Sequence, residues 1–356
     1  MLSISHLRAG FTARDARRLV VVVAFACAAA PAGRAQDAPR RPAAPLDPVA
    51  AIIEAFGSHA IVALGEGPHG NEQGHRFRLA LIRDPRFAAV VNDIVVESGS
   101  ARHQDVVDRF VRGEAVPDPA MREARENTVA AAPVWDRPMY DELFRAVRDV
   151  NGSLPRERQV RVLLGDPPID WSLVESTADY LKWLRQRDLH PGDLIRREVL
   201  AKGRRALVIY GDGHFQARTE RPGRSLAAIL EAAGTRAFAI TSTFADLGRL
   251  QPDVASWRTP SLAVLRGTLV GAAPYELFFG PPPPTDYFRA NPRIEDHYDA
   301  VLYLGPSTSR TMAGLEYPRC ADPAYVEMRV RRMVLSGSSP SVADRLVAEC
   351  SAAAPR

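Results

Sequence analysis

Apolar residues in this chain fall into short, nearly continuous runs. Between the runs lie longer stretches in which they recur every three or four positions. The runs at residues 60–64, 94–96, 161–164, 206–210 and 237–241, with later ones at 262–265 and 300–304, predict strands. Helical spacing covers residues 49–56, 72–82, 104–111, 140–150, about 173–186, 194–201 and 225–233. In residues 140–150, for example, Leu143, Phe144 and Val147 stand three and four positions apart. Two further helical pieces fill residues 324–348. Strands that are apolar throughout, rather than alternately, are covered on both faces. The pattern therefore predicts an α/β fold: a mainly parallel sheet with helices on both faces and a cleft at the strand carboxyl ends. A polar stretch containing Trp135, with no helix assigned in it, leads into the helix over 140–150, and the Pro281–Pro284 run reads as an exposed loop or linker.

The ends of the chain read differently. Residues 1–18 carry Arg8, Arg14, Arg17 and Arg18 against Asp15 alone, followed by an apolar run from Leu19 through Ala30 and the small-residue site Gly33-Arg34-Ala35. A basic start, a short apolar core and a small-residue end describe a secretory signal peptide, and the apolar run is too short to span a bilayer. The expected organisation is a signal over 1–35, a linker over 36–47, an α/β domain over 48–310 and a helical tail over 311–356. The mature protein is expected to be exported, periplasmic or secreted, and off the membrane. Cys27 leaves with the signal, so Cys320 and Cys350 become a candidate disulfide in a compartment that permits one.

Composition then removes one class of function. The chain has 356 residues and a formal net charge of +4, but its only lysines are Lys182 and Lys202. Cleavage after Ala35 would leave 41 basic and 41 acidic residues, so the surplus belongs to the signal. No basic patch interleaved with aromatics appears, and nucleic acid is not an expected partner. A small-molecule substrate is.

The candidate chemistry collects where strands end. The first strand runs into Leu64-Gly65-Glu66-Gly67-Pro68-His69-Gly70, the second into Glu97, the third into Gly165-Asp166 and the fourth into Gly211-Asp212-Gly213-His214. Parallel strands joined by right-handed crossovers bring such ends to one edge, so Glu66, His69, Glu97, Asp166 and His214 can converge. Gly65, Gly67 and Gly70 also spell G-x-G-x-x-G. However, Glu66 and Pro68 spoil a phosphate cradle, and Glu97 lies 27 residues past Gly70, later than a dinucleotide fold places its acid. No G-x-S-x-G elbow, Walker A loop or H-E-x-x-H occurs. His59 and His75 read as surface or helix-face residues, while Trp135 and Tyr140 could line a pocket or simply pack.

The segment Gly65-Glu66-Gly67-Pro68-His69-Gly70 resembles the G-E-x-x-H-G signature of the erythromycin esterase-like proteins and the related ChaN-like/Tiki superfamily. Glu97, Gly165-Asp166, His214 and the closing Asp299–Tyr303 run follow in the same order. The resemblance covers roughly residues 50–305 and implies a cleft that serves metal-independent esterases, metal-dependent proteases and haem-binding proteins. For an esterase it implies His69 as general base, Glu66 or Glu97 orienting it, and His214 stabilising an oxyanion or protonating the leaving group. Arg78, nine residues after His69, would neutralise a carboxylate, contact an anionic intermediate or lie in a surface ion pair. For a metal-dependent hydrolase, Glu66, His69, Glu97 and His214 would hold zinc or manganese. For a haem protein, Tyr210 or His214 would be axial.

Overall fold

The computed structural model describes residues 39–216, 225–280 and 292–352. The expected signal, the start of the expected linker and the Pro281–Pro284 run lie outside the described residues. Seven strands form one sheet: β1 (Ile61–Gly65), β2 (Asp93–Ser100), β3 (Arg161–Asp166), β4 (Ala206–Tyr210), β5 (Phe238–Thr243), β6 (Ser261–Val264) and β7 (Ala300–Tyr303). Their spatial order is β3-β2-β4-β1-β5-β7-β6, and every neighbouring pair is parallel except β6 with β7. The carboxyl ends of β2, β4, β1 and β5 therefore stand side by side.

The helices in the first half are α1 (Pro48–Ala55), α2 (Glu72–Arg83), α3 (Phe87–Val90), α4 (Gln104–Val111), α5 (Asp118–Glu126) and α6 (Met139–Asn151). After β3 come α7 (Thr177–Leu184), α8 (Leu189–Glu198) and α9 (Leu226–Ala232), then α10 (Glu276–Phe279), α11 (Tyr317–Cys320), α12 (Pro323–Leu335) and α13 (Pro340–Ala352). Successive strand residues point to opposite faces. Val62, Leu64, Ile94, Val96, Leu207 and Ile209 meet Ile52, Phe77, Leu81 and Phe144 on one side. Ile61, Ala63, Val95, Val208 and Tyr210 meet Ile195, Leu226 and Leu230 on the other. This is the α/β architecture that the apolar runs predict.

Three features depart from the expectation. Helix α5 falls in a polar stretch to which no helix is assigned from the sequence, because its buried face includes Arg125 and Glu126 beside Met121 and Ala124, so the apolar period is masked by charge. Residues 39–47, expected as linker, pair along the outer edge of β6. Leu46 and Leu262 exchange backbone hydrogen bonds of 2.8 and 3.1 Å, and Arg41 bonds to Gly267 and Leu269. An edge strand leaves a row of unpaired backbone groups, and this segment satisfies them. The C-terminal helices, expected as a tail, share a core with the loops above the sheet: Met333, Leu346 and Cys350 pack with Val129, Ile169 and Trp171. Cys320 and Cys350 are joined in a disulfide. No helix among the described residues is long and apolar enough to cross a membrane.

Candidate active site

The first strand-end loop leaves β1 at Gly65 and enters α2 at Glu72. Asn71 caps that helix, accepting the Gly74 N–H at 2.7 Å, and its amide donates back to the carbonyls of Glu66 and Pro68 at 2.8 and 2.6 Å. The loop is thereby folded tightly enough for residues three apart to meet. His69 Nδ1 lies 2.8 Å from Glu66 Oε2. Glu66 is buried, and its other oxygen lies 3.3 Å from Arg78 Nη2. Arg78 is itself only 1% exposed, so it is no surface residue but a buried counter-ion beneath Glu66. Burial would raise the Glu66 carboxyl, but Arg78 and His69 hold it below the usual range. At His69 burial disfavours the cation, yet the bond and charge of Glu66 raise the imidazole above its ordinary value.

The His69 side chain is 34% exposed, and no residue among those described hydrogen-bonds its Nε2. One ring edge is held by Trp135, with centroids 4.6 Å apart and the planes 73° to each other. Trp135 packs in turn on Tyr140, whose hydroxyl accepts the Gly70 N–H at 3.0 Å. The imidazole is fixed at Nδ1 and open at Nε2. That is the geometry of a general base whose tautomer is set by a carboxylate.

A second group faces the first across Gly211. A Cβ at Gly211 would lie 3.1 Å from His69 Nε2 and 3.5 Å from Glu97 Oε2, so the glycine lets the two halves approach closely. Between Val96 and Ser100, β2 shifts register against β3, and Glu97 lies within that irregularity. Glu97 Oε2 accepts the Gly211 N–H at 2.8 Å. Its Oε1 lies 2.6 Å from Arg187 Nη2 and 3.3 Å from His214 Nε2. His214 Nδ1 pairs with Asp188 at 2.7 Å, and Arg187 Nη2 stands 3.1 Å from His214 Nε2. Burial works against the His214 cation, but Glu97 and Asp188 raise it to about 10. Burial likewise pushes Glu97 up, and the neighbouring cations override it and hold the carboxyl well below its usual range. Arg187 and His214 are thus pinned side by side by the carboxylates of Glu97 and Asp188.

The remaining strand-end acids do different work. Asp166 is buried, accepts the Val129 N–H at 2.7 Å, is raised well above the usual carboxylate range by burial, and lies within electrostatic reach of Arg187, Glu97 and His214. Asp212 accepts the Gly67 N–H at 2.7 Å and the Ser242 N–H at 3.0 Å, and burial pushes its carboxyl up to about 6. His75, expected at a surface or helix face, is buried between α2 and α6 and lies 3.0 Å from Glu142.

The strand-end motifs thus supply Glu66, His69, Glu97 and His214 to two facing groups, and α2 adds Arg78 to the first, while Asp166 lies beside the second with its own hydrogen bond to Val129. Sequence reasoning missed Arg187, Asp188 and Asp212. Asp212 stood inside the Gly211–His214 motif, overshadowed by its histidine. Arg187 and Asp188 stood at the break between two helical patterns, in an Arg/Gln/Asp run indistinguishable from a solvated turn. A cavity of about 690 Å³ lies elsewhere, between residues 45–49, the outer face of α2 and residues 258–261. It contains neither group, and the ionisable chemistry locates the site instead.

The candidate metal set does not fit an ion. Glu66 is engaged by His69 and Arg78, and Glu97 by Arg187, His214 and the Gly211 N–H, so guanidinium groups stand where a dication would have to enter. Among the described residues, no three His, Cys, Asp or Glu side chains gather in a way that could hold a metal. An axial role fits no better. The Tyr210 hydroxyl is fully buried beneath Gly165, and both ring nitrogens of His214 face partners.

Of three solved structures that resemble this chain, one superposes above a TM-score of 0.5. That one, a succinoglycan biosynthesis protein, gives a TM-score of 0.54 at 10% identity, covering 74% of this chain and 94% of the other. A Bacillus cereus protein gives 0.48 at 13% identity, covering 74% and 95%. An erythromycin esterase variant in its open conformation gives 0.47 at 12% identity, covering 74% and 93%. No protein-family model and no curated protein matches the chain.

Proposed function

We propose that this protein is an exported hydrolase of esterase-like type, acting on an ester or related carbonyl of a small molecule. The observation that carries the reading is the Glu66–His69 pair, with Nε2 facing the Glu97, Arg187 and His214 cluster across Gly211. His69 Nε2 takes a proton from water, and the hydroxide oxygen bonds to the carbonyl carbon. The carbonyl oxygen becomes an oxyanion facing Arg187 and His214, which are already oriented by Glu97 and Asp188. Preoriented charge of this kind contributes to the barrier without reorganisation at the moment of reaction. The intermediate then expels the alkoxide, which takes the proton from His69 Nε2, leaving acid and alcohol. His214 serves as a fixed polar wall rather than a proton donor, because both its ring nitrogens are already engaged, one with Asp188 and the other with Arg187.

Glu66 orients and polarises His69, and Arg78 keeps Glu66 ionised. The signature shared with esterase-like proteins supports the same assignment of His69. Export rests on the N-terminal sequence, and N-terminal analysis of protein recovered outside the cytoplasm tests it: a mature chain starting near residue 36 is expected. For activity, the purified mature protein is offered a panel of esters and lactones, with and without zinc or manganese. Hydrolysis that is lost in His69→Ala is expected. Absence of turnover across the panel, metals included, would sink the reading.

A further inference from the structure

From the geometry we infer that Asp212 is a positioning residue for the Glu66–His69 pair, acting through the Gly67 N–H. The inference rests on the hydrolytic reading above and deepens it. Glu66 and His69 are separated by two residues, so their 2.8 Å bond depends on how the intervening peptides are turned. Gly67 takes φ +68°, a left-handed conformation that other residues rarely adopt. In this conformation its N–H points down at Asp212 Oδ2, 2.7 Å away. There is also no room for a side chain, since a Cβ on Gly67 would come 2.8 Å from the Ser242 carbonyl oxygen.

Asp212 is held as firmly as it holds. Its Oδ1 accepts the Ser242 N–H at the end of β5, and its own carbonyl accepts the Tyr298 hydroxyl at 2.8 Å. The carboxylate fills the space beside Gly65, where a Cβ would lie 2.1 Å from Oδ1. One buried side chain thus ties the carboxyl ends of β1, β4 and β5 together, immediately below the loop that carries the base. The preceding residue, Gly211, offers its N–H to Glu97. The Gly211-Asp212 pair therefore anchors both halves of the cleft, one through its backbone and the other through its carboxylate.

This role requires two acceptor oxygens. In Asp212→Asn the side chain keeps its shape, but its amide nitrogen must face either the Gly67 or the Ser242 N–H, donor against donor. The Gly67 peptide then turns away, and the Glu66–His69 bond loosens.

Two measurements on the full mature protein test this. The first is the low-field proton resonance of the His69 Nδ1–H bonded to Glu66, identified by its disappearance in His69→Gln. It is expected in the parent and lost or broadened in Asp212→Asn. The second is turnover of whichever ester the parent hydrolyses. A loss of about 100-fold in kcat with KM little changed is expected, the scale that a small misplacement of a catalytic group produces. Gly65→Ala, which displaces the carboxylate without removing it, should reproduce both effects and decides the matter if Asp212→Asn does not fold. A folded variant that keeps the resonance and kcat overturns the inference, as does a loss confined to KM with the resonance intact. If the parent hydrolyses no ester, the hydrolytic reading falls, and the resonance alone decides whether Asp212 positions the pair.

Discussion

His69 is subject to opposed effects: burial disfavours its cation, while Glu66 favours it, and the carboxylate wins. A base with a raised pKa is neutral, and therefore active, only at higher pH. The rate should rise with pH through a midpoint above the ordinary histidine value. In Glu66→Gln that midpoint should move down while kcat falls, because the raising charge is gone and Arg78 remains. A pH–rate profile of both proteins checks this, and His69→Ala should lose about 10²–10⁴ in kcat. His214 makes a different prediction, about stability. Its folded value, about 10, lies above that of the unfolded chain, so its proton stabilises the fold fully below pH 6.5. That contribution is lost as pH rises from 6.5 towards 10. Thermal midpoints should therefore fall over this window, and the fall should be shallower in His214→Gln. Identical slopes in the two proteins would refute the raised value.

At the scale of elements, the site is walled by segments far apart in the chain. Residues 311–313 lie across the catalytic loop: Glu72 N–H donates to Thr311 O at 3.0 Å and Ala313 N–H to Gly70 O at 2.9 Å. Arg137, two residues past Trp135, donates to the carbonyls of Ala313, Pro133 and Val134 and pairs with Glu349 of α13. Asp136 forms a buried ion pair with Arg329 of α12 and also accepts the Tyr325 hydroxyl. The C-terminal helices thus hold the loop whose Trp135 abuts His69. The disulfide fastens α11 to α13 across a sequence separation of 30. A closure of that length stabilises a fold by about 3–4 kcal/mol in the chain-entropy model. The Cys320→Ser, Cys350→Ser double variant should lose about that much, read from the shift in denaturant midpoint against the oxidised parent. An unchanged midpoint would mean that packing alone holds the helices.

At the scale of the molecule, the sheet is a platform whose rigidity keeps the two charged groups facing. Leu207, on central β4 and fully buried, packs in the core shared with α1 and α2. Leu207→Ala should cost about 2–5 kcal/mol, the range for an unfilled core cavity, measured by denaturant unfolding. The sequence by itself determined the seven apolar runs that became strands, because strands covered on both faces must be apolar throughout. It also placed Glu66, His69, Glu97, Asp166 and His214 at strand ends on one edge of the sheet, because parallel connections put those ends together. The strand order that makes β2, β4 and β1 neighbours came from the structure. Helix α5 stayed hidden, since its buried face carries Arg125 and Glu126, whose partners come from elsewhere in the chain. Arg78 read as an ordinary helix cation until the fold placed it beneath Glu66. Arg187, Asp188 and Asp212 emerged only from the tertiary structure. Charge pairing across a cleft depends on distances between segments dozens of residues apart, and no periodicity along the chain encodes those distances.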